Sequence, residues 1–168
     1  MGKGSVEKIG VMSDSHERLD LIDRAVEFFN EQDVDRVLHA GDFISPLTAA
    51  PLSRLNSELI GVFGNNDGDK LFLRQRFEEE DVGRIERGPH RLELGGREIV
   101  LMHQPRLIEA LEASTVPDLV IYGHTHEVKL QEGDPFVLNP GEVCGLVTGR
   151  RTVATVELED MEVEIENL

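Results

Sequence analysis

The stretch KIGVMSDSH, Lys8 to His16, decides the fold. Its first part, KIGVMS, is a short apolar run bounded by polar residues, the pattern of a buried strand. The run stops on Asp14 and His16. The segment that follows, RLDLIDRAVEFFNEQ (18–32), sets Leu19, Ile22, Val26 and Phe29 at helical spacing. DRVLHA (35–40) is then a second strand, and SPLTAAPLSRL (45–55) a helix capped by Ser45 with Pro46 at its first position. Pro51 should kink or shorten that helix. ELIGVF (58–63) is a third strand. Strands alternating with helices imply a parallel sheet with covering helices.

The second half is richer in strands. HRLELGGREIVLMH (90–103) is two strands joined at Gly95-Gly96. RLIEALEAS (106–114) is a short helix and DLVIYG (118–123) a strand. EVKLQEGDPFVLNPG (127–141) holds two short strands about Gly133 and Asp134, and RRTVATVELEDMEVEIENL (150–168) closes the chain as an alternating pair. The expected architecture is α/β: two packed, mixed sheets with helices outside, in one domain over residues 1–168.

Five of these apolar runs end in Asp, Asn or His: IGVMSDSH, VLHAGD, LIGVFGNND, IVLMH and LVIYGHTH. Ligands gather outside the carboxyl ends of strands in open α/β sheets. Any one ending alone reads as a turn, since Asn, Asp and Gly are the ordinary turn residues. Five on one edge read as a site. It would hold Asp14, His16, Asp42, Asn65, His103, His124 and His126. Oxygen and imidazole without thiolate suit Mn, Fe, Ni, Co or Zn. Seven side chains exceed the need of one ion, and two ions sharing a bridging carboxylate use them all. Two divalent ions less Asp14, Asp42 and a bridging hydroxide leave one positive charge, which a phosphodiester monoanion neutralises.

Composition narrows the partners. The net charge of -16 opposes binding of long nucleic acid. It fits either a salt-adapted cytoplasm or simply an acidic protein. With 39% hydrophobic residues the chain needs no staples, and its single cysteine, Cys144, excludes an internal disulfide and suits a reducing cytoplasm. No apolar run is long enough for a bilayer. The N-terminal residues lack the features of a signal peptide, and Ser5 is misplaced for myristoylation.

The motifs DSH (14–16), GD (41–42), GNND (64–67), His103 and GHTH (123–126), in this order, resemble the calcineurin-like metallophosphoesterase superfamily. The small size and the NPGE segment (139–142) resemble its compact archaeal and bacterial phosphodiesterase subfamily, related to the retromer subunit Vps29. The resemblance implies a four-layer αββα sandwich and a binuclear phosphodiesterase whose metal-bridging hydroxide attacks phosphorus in line. It places Asp14, His16, Asp42 and His126 on one metal, and Asp42, Asn65, His103 and His124 on the other, with manganese foremost. It implies that Asp42, Asn65 and His103 act in catalysis through the metal-bound hydroxide. Alternatives are a non-catalytic interaction module of the Vps29 type, and a phosphomonoesterase or nucleotidase. The substrate is a small phosphate ester, with no membrane partner and a homo-oligomer left open.

Two positions depart from the pattern. Asn66 stands where relatives keep a histidine or cysteine, and an amide cannot act as a general acid. Its loss to alanine should therefore cost little. Gln104 replaces a common glycine and is expected to line the pocket or touch substrate. Arg106 and Arg150 are candidates to meet additional substrate charge.

The remaining polar residues read more plainly. His39 is a buried, hydrogen-bonded strand residue behind the ligands, and His90 an exposed turn residue. Asp67 is equally a turn residue or a brace of the Asn65 loop. Cys144 is a quiet thiol near no ligand, and FEEED (77–81) is a solvated helix end.

Overall fold

The computed structural model describes residues 6–114 and 117–168. The reading of the N-terminal residues lies partly outside this range. Among the described residues eleven strands form two sheets. In the first, β1 (Lys8–Met12), β2 (Arg36–His39), β3 (Glu58–Val62) and β4 (Gly83–Glu86) run parallel. The antiparallel pair β10 (Thr152–Glu157) and β11 (Glu162–Asn167) extends it beyond β1. The second sheet takes the order β5 (His90–Leu94), β6 (Arg97–Leu101), β7 (Leu119–Ile121), β9 (Phe136–Pro140), β8 (Val128–Gln131), with β6, β7 and β9 parallel.

Side-chain alternation along the strands builds the layers. Ile9, Val11, Leu38 and Ile60 from the first sheet meet Ile99, Leu101, Leu119, Ile121 and Leu138 from the second. The opposite face of the first sheet packs Met12, Val37, Leu59 and Ile85 against α1 (Leu19–Glu31), through Ile22, Val26 and Phe29, and against α3 (Lys70–Glu79), through Leu73 and Phe77. On the far side of the second sheet, Val100, Val120 and Val137 carry Ile108 and Leu111 of α4 (Ile108–Ser114). The result is the αββα sandwich. Among the described residues no helix is long and apolar enough to cross a membrane.

Pro46–Thr48 forms one 3-10 turn, capped by the Ser45 hydroxyl, and runs into the single turn α2 (Ala49–Leu52), the shortening expected from Pro51. FEEED closes the ten-residue helix α3, the helix end expected, although its Phe77 is buried in the core. GRIE, of which only Ile85 is buried, is the unanticipated edge strand β4. His90 is half-buried and opens β5 instead of sitting in a turn.

Candidate metal centre

The parallel strands of both sheets end on the same edge of the sandwich. Loops after β1, β2 and β3 deliver Asp14, His16, Asp42 and Asn65, while those after β6 and β7 deliver His103, His124 and His126. The first sheet thus supplies every oxygen donor, and the second supplies three of the four imidazoles. Backbone hydrogen bonds stitch the loops together: Asp14 N–H donates to Gly41 O, His16 N–H to Asp42 O, and Gly123 N–H to His103 O. Five of the seven side chains hang from left-handed backbone: Asp14, His16, Asp42, His124 and His126, at φ between 42° and 68°. Non-glycine residues rarely adopt this conformation, and it concentrates where function holds it.

All seven residues converge in two groups that share Asp42. In one, Asp14 Oδ1 lies 3.3 Å from His126 Nε2 and 3.8 Å from His16 Nε2. In the other, Asn65 Oδ1 lies 2.8 Å from His103 Nε2 and 2.9 Å from His124 Nδ1. Asp42 Oδ2 stands between them, 3.4 Å from His16 Nε2 and 3.5 Å from His103 Nε2.

These contacts bring lone pairs together. His103 Nδ1 is 2.8 Å from Ala40 O and His126 Nδ1 is 2.7 Å from Glu142 Oε2. Those oxygens only accept, so each Nδ1 donates, and in the neutral ring Nε2 is left with a bare lone pair. The bare nitrogens face Asn65 Oδ1 and Asp14 Oδ1, which are also acceptors. Asp14 Oδ2 is already satisfied by the Ser13 hydroxyl and His124 N–H, whereas Asp14 Oδ1 and His16 Nε2 are buried with no hydrogen-bond partner. Buried acceptors facing one another without a donor are costly and fit an intervening cation. Asp14, His16 and Asp42 are also close enough to hold one ion together. The nearby carboxylates of Asp14 and then Asp42, 3.8 and 3.4 Å from His16 Nε2, raise the His16 pKa to about 9. Burial opposes ionisation of Asp42, but His16, Asn66 and His103 outweigh it and hold its pKa well below the usual range.

The glycines of GNND and GHTH are steric requirements. A Cβ on Gly64 would collide with the Asp42 carboxylate, and one on Gly123 with Ser13 and Asp14. Asp67 braces the Asn65 loop, its carboxylate accepting from Ile44 N–H and Gly64 N–H, both at 2.7 Å. His39 is fully buried, and that burial drops its pKa to about 3. The neutral ring accepts from Gly41 N–H, donates to Ser15 Oγ and stacks on Phe43, fixing the loops that carry Asp14 and Asp42.

Three expectations require correction. Asn66 is tied to the site: its N–H donates to Asp42 Oδ1 at 2.9 Å and its side-chain amide to Asp42 Oδ2 at 2.8 Å, so Asn66→Ala would remove a hydrogen bond from the shared carboxylate. Cys144 is near a candidate ligand, with Sγ 2.9 Å from Glu142 Oε2 and 4.0 Å from His126 Nδ1. Burial and then Glu142 raise its thiol pKa to about 12, which keeps the sulfur protonated. Arg150 does not line the cleft beside the site, whereas Arg106 and Gln104 do.

Glu142 is the functional residue that the sequence reading passed over. It is fully buried and accepts from His126, Cys144, the backbone of Leu146, Val147 and Thr148, and the Thr148 hydroxyl. Burial opposes its ionisation, but these donors prevail and hold its pKa at about 2. FVLNPGE was a sixth apolar run ending in an acid.

The site opens on a cleft of about 510 Å³ that begins at Asn65 and His103.

Comparison with known proteins agrees with this arrangement. The profile of the calcineurin-like phosphoesterase superfamily domain matches residues 8–161. A Methanocaldococcus jannaschii protein named as a phosphodiesterase is 36% identical over 158 residues, 92% of this chain and 95% of that one. A solved structure described as a novel archaeal phosphodiesterase superposes with a TM-score of 0.90 at 35% identity, covering 96% of this chain and 99% of the other. Vps29 of Chaetomium thermophilum shares the fold at a TM-score of 0.68 and 16% identity, over 96% of this chain and 97% of its own.

Proposed function

Since the chain belongs to the calcineurin-like phosphoesterase superfamily, we propose that it is a phosphodiesterase working with two divalent ions. The observation carrying this reading is the position of Asp42 Oδ2, 3.4 Å from His16 on one side and 3.5 Å from His103 on the other. A single carboxylate oxygen poised between two imidazoles supports a shared ligand. Asp14, His16, Asp42 and His126 would hold one ion; Asp42, Asn65, His103 and His124 would hold the other. Manganese suits this mixed oxygen and imidazole shell. When bound, the pair would supply Lewis acidity and a water acidic enough to attack phosphorus in line.

The chain's own residues set the rest. Ala40 O and Glu142 fix His103 and His126 in the tautomer that presents Nε2. Asn65, being neutral, leaves the centre positive enough for a phosphate monoanion. Asn66 cannot protonate a leaving group, and its amide is occupied by Asp42. Aryl esters should therefore react faster than simple alkyl esters. A scaffold of the Vps29 type would not require this complete donor set. The acidic composition supports a salt-adapted cytoplasm as the setting; a melt that did not rise between low and multimolar KCl would count against it.

The test is hydrolysis of bis-p-nitrophenyl phosphate with added manganese, beside p-nitrophenyl phosphate. The diester should be turned over, and faster than the monoester. No turnover with any divalent ion, together with no bound metal by elemental analysis, would sink the proposal.

A further inference from the structure

The cleft beside the candidate centre has a charge opposite to that of the molecule around it. The chain carries 33 acidic residues against 17 basic ones, yet none of the residues lining this cleft is Asp or Glu, and three are Lys70, Arg87 and Arg106. Elsewhere the arginines are largely paired, as in Arg36 with Glu58, Arg76 with Glu79 and Arg97 with Asp118. Among the described residues the side chains of Lys70, Arg87 and Arg106 meet no carboxylate; Lys70 lies over the Phe63 ring, 5.7 Å from its centroid.

Lys70 is also poorly placed for its own helix. It is the first residue of α3, where the positive end of the helix dipole disfavours a cation, and the one acid at that helix start, the N-cap Asp69, has its carboxylate turned to Phe72 N–H. The three cations come from three separate segments: the start of α3, the loop after β4 and the loop after β6. Phe63 and Pro89 give the cleft apolar wall, and Gln104 adds neutral hydrogen-bonding capacity. Its volume of about 510 Å³ lies within the range of small-molecule sites, about 300–1,000 Å³.

We propose that this cleft seats the arm of the phosphodiester that carries a second phosphoryl group, held by Lys70, Arg87 and Arg106. The proposal rests on the phosphodiesterase reading. A simple diester monoanion at the metal centre leaves these cations unanswered, whereas a second phosphate within reach answers them. Arginine is suited to that task because its planar guanidinium meets phosphate oxygens through two parallel hydrogen bonds. In a molecule this acidic, a basin of positive potential also draws in a small polyanion that the rest of the surface repels.

The experiment compares two substrates with the same p-nitrophenol leaving group: the p-nitrophenyl ester of thymidine 5′-phosphate, and the same ester bearing a 3′-phosphate. Bis-p-nitrophenyl phosphate is the reference. The 3′-phosphate should raise kcat/KM by about tenfold or more. The paired substitution Arg87→Ala/Arg106→Ala should bring that ratio towards one. Calorimetric titration of the manganese-loaded protein should likewise show thymidine 3′,5′-bisphosphate binding about tenfold tighter than thymidine 5′-phosphate, with the difference lost in the double variant. A ratio of one or below in the unsubstituted protein, with bis-p-nitrophenyl phosphate still hydrolysed, overturns the second-phosphate subsite and leaves the phosphodiesterase reading intact. A tenfold preference that survives the double substitution also overturns it. No hydrolysis of the reference diester with any divalent ion removes both readings together.

Discussion

At one end of the centre His16 and His126 face Asp14 and Asp42, two buried carboxylates, and Glu142 backs His126 from a loop of its own. At the other end His103 and His124 meet the neutral amide of Asn65, and among the described residues Asp42 is the one anion against them. The first end has more negative charge and stronger support. The second opens on the cationic cleft. On the proposed two-ion reading the difference would divide the labour: the first end would anchor its ion, and the weaker-field second end would leave its ion freer to meet substrate. Asp42 is the only side chain common to both.

That asymmetry orders the expected effects of substitution. The largest belongs to Asp42→Ala, which should empty both ends and reduce turnover to background, read by elemental analysis and the diester assay. A variant that kept two ions per chain would separate the ends completely and break the comparison. Next come Asp14→Ala and Asn65→Ala, each expected to weaken one ion. The loss of a buried charge at the first end should raise the metal Kd by about a hundredfold or more, and loss of the amide by about tenfold. Equal effects in calorimetric metal titrations would mean that the ends do not differ in field.

Glu142→Gln comes third. Partners that orient ligands typically change metal affinity by about 10- to 100-fold, and here the change should fall on the His126 end alone. The same variant has a pH signature. The folded pKa of Glu142, about 2, lies below its ordinary value of 4.5. Its contribution to stability is therefore complete above pH 4.5 and lost as pH falls from 4.5 towards 2. Denaturant titrations across that window should show a shallower acid decline in Glu142→Gln than in the unsubstituted protein; parallel declines would mean the buried carboxylate is not what the acid limb reads.

The smallest effect is that of Asn66→Ala. Loss of the amide hydrogen bond to the shared carboxylate should lower kcat/KM several-fold, near the net value of about 1 kcal/mol for one hydrogen bond, since the Asn66 backbone N–H still donates to Asp42 Oδ1. An unchanged kcat/KM would show that Asp42 is positioned without it.

Much of this organisation was legible in the chain because strand endings are a local signal. Five apolar runs terminate in Asp, Asn or His, and the structure brings all seven of those side chains together. The alternation of strands and helices likewise anticipated the layers. What escaped notice depends on tertiary contact. GRIE becomes a strand through pairing with β3, although only Ile85 of its residues is buried. Asn66 resembles its neighbour Asn65 in sequence, and only the folded loop aims one at the imidazoles and the other at Asp42. Glu142 stood in the sequence only as the end of NPGE, and its role depends on the 146–148 backbone closing around its carboxylate. The cationic cleft draws Lys70, Arg87 and Arg106 from segments with no shared motif.

The most direct measurement is anomalous diffraction from manganese-loaded crystals. The account predicts two peaks, one on either side of Asp42 Oδ2 and about 3.5–4 Å apart, the first bounded by Asp14, His16 and His126 and the second by Asn65, His103 and His124. A single peak, or two peaks that do not share Asp42, would contradict it.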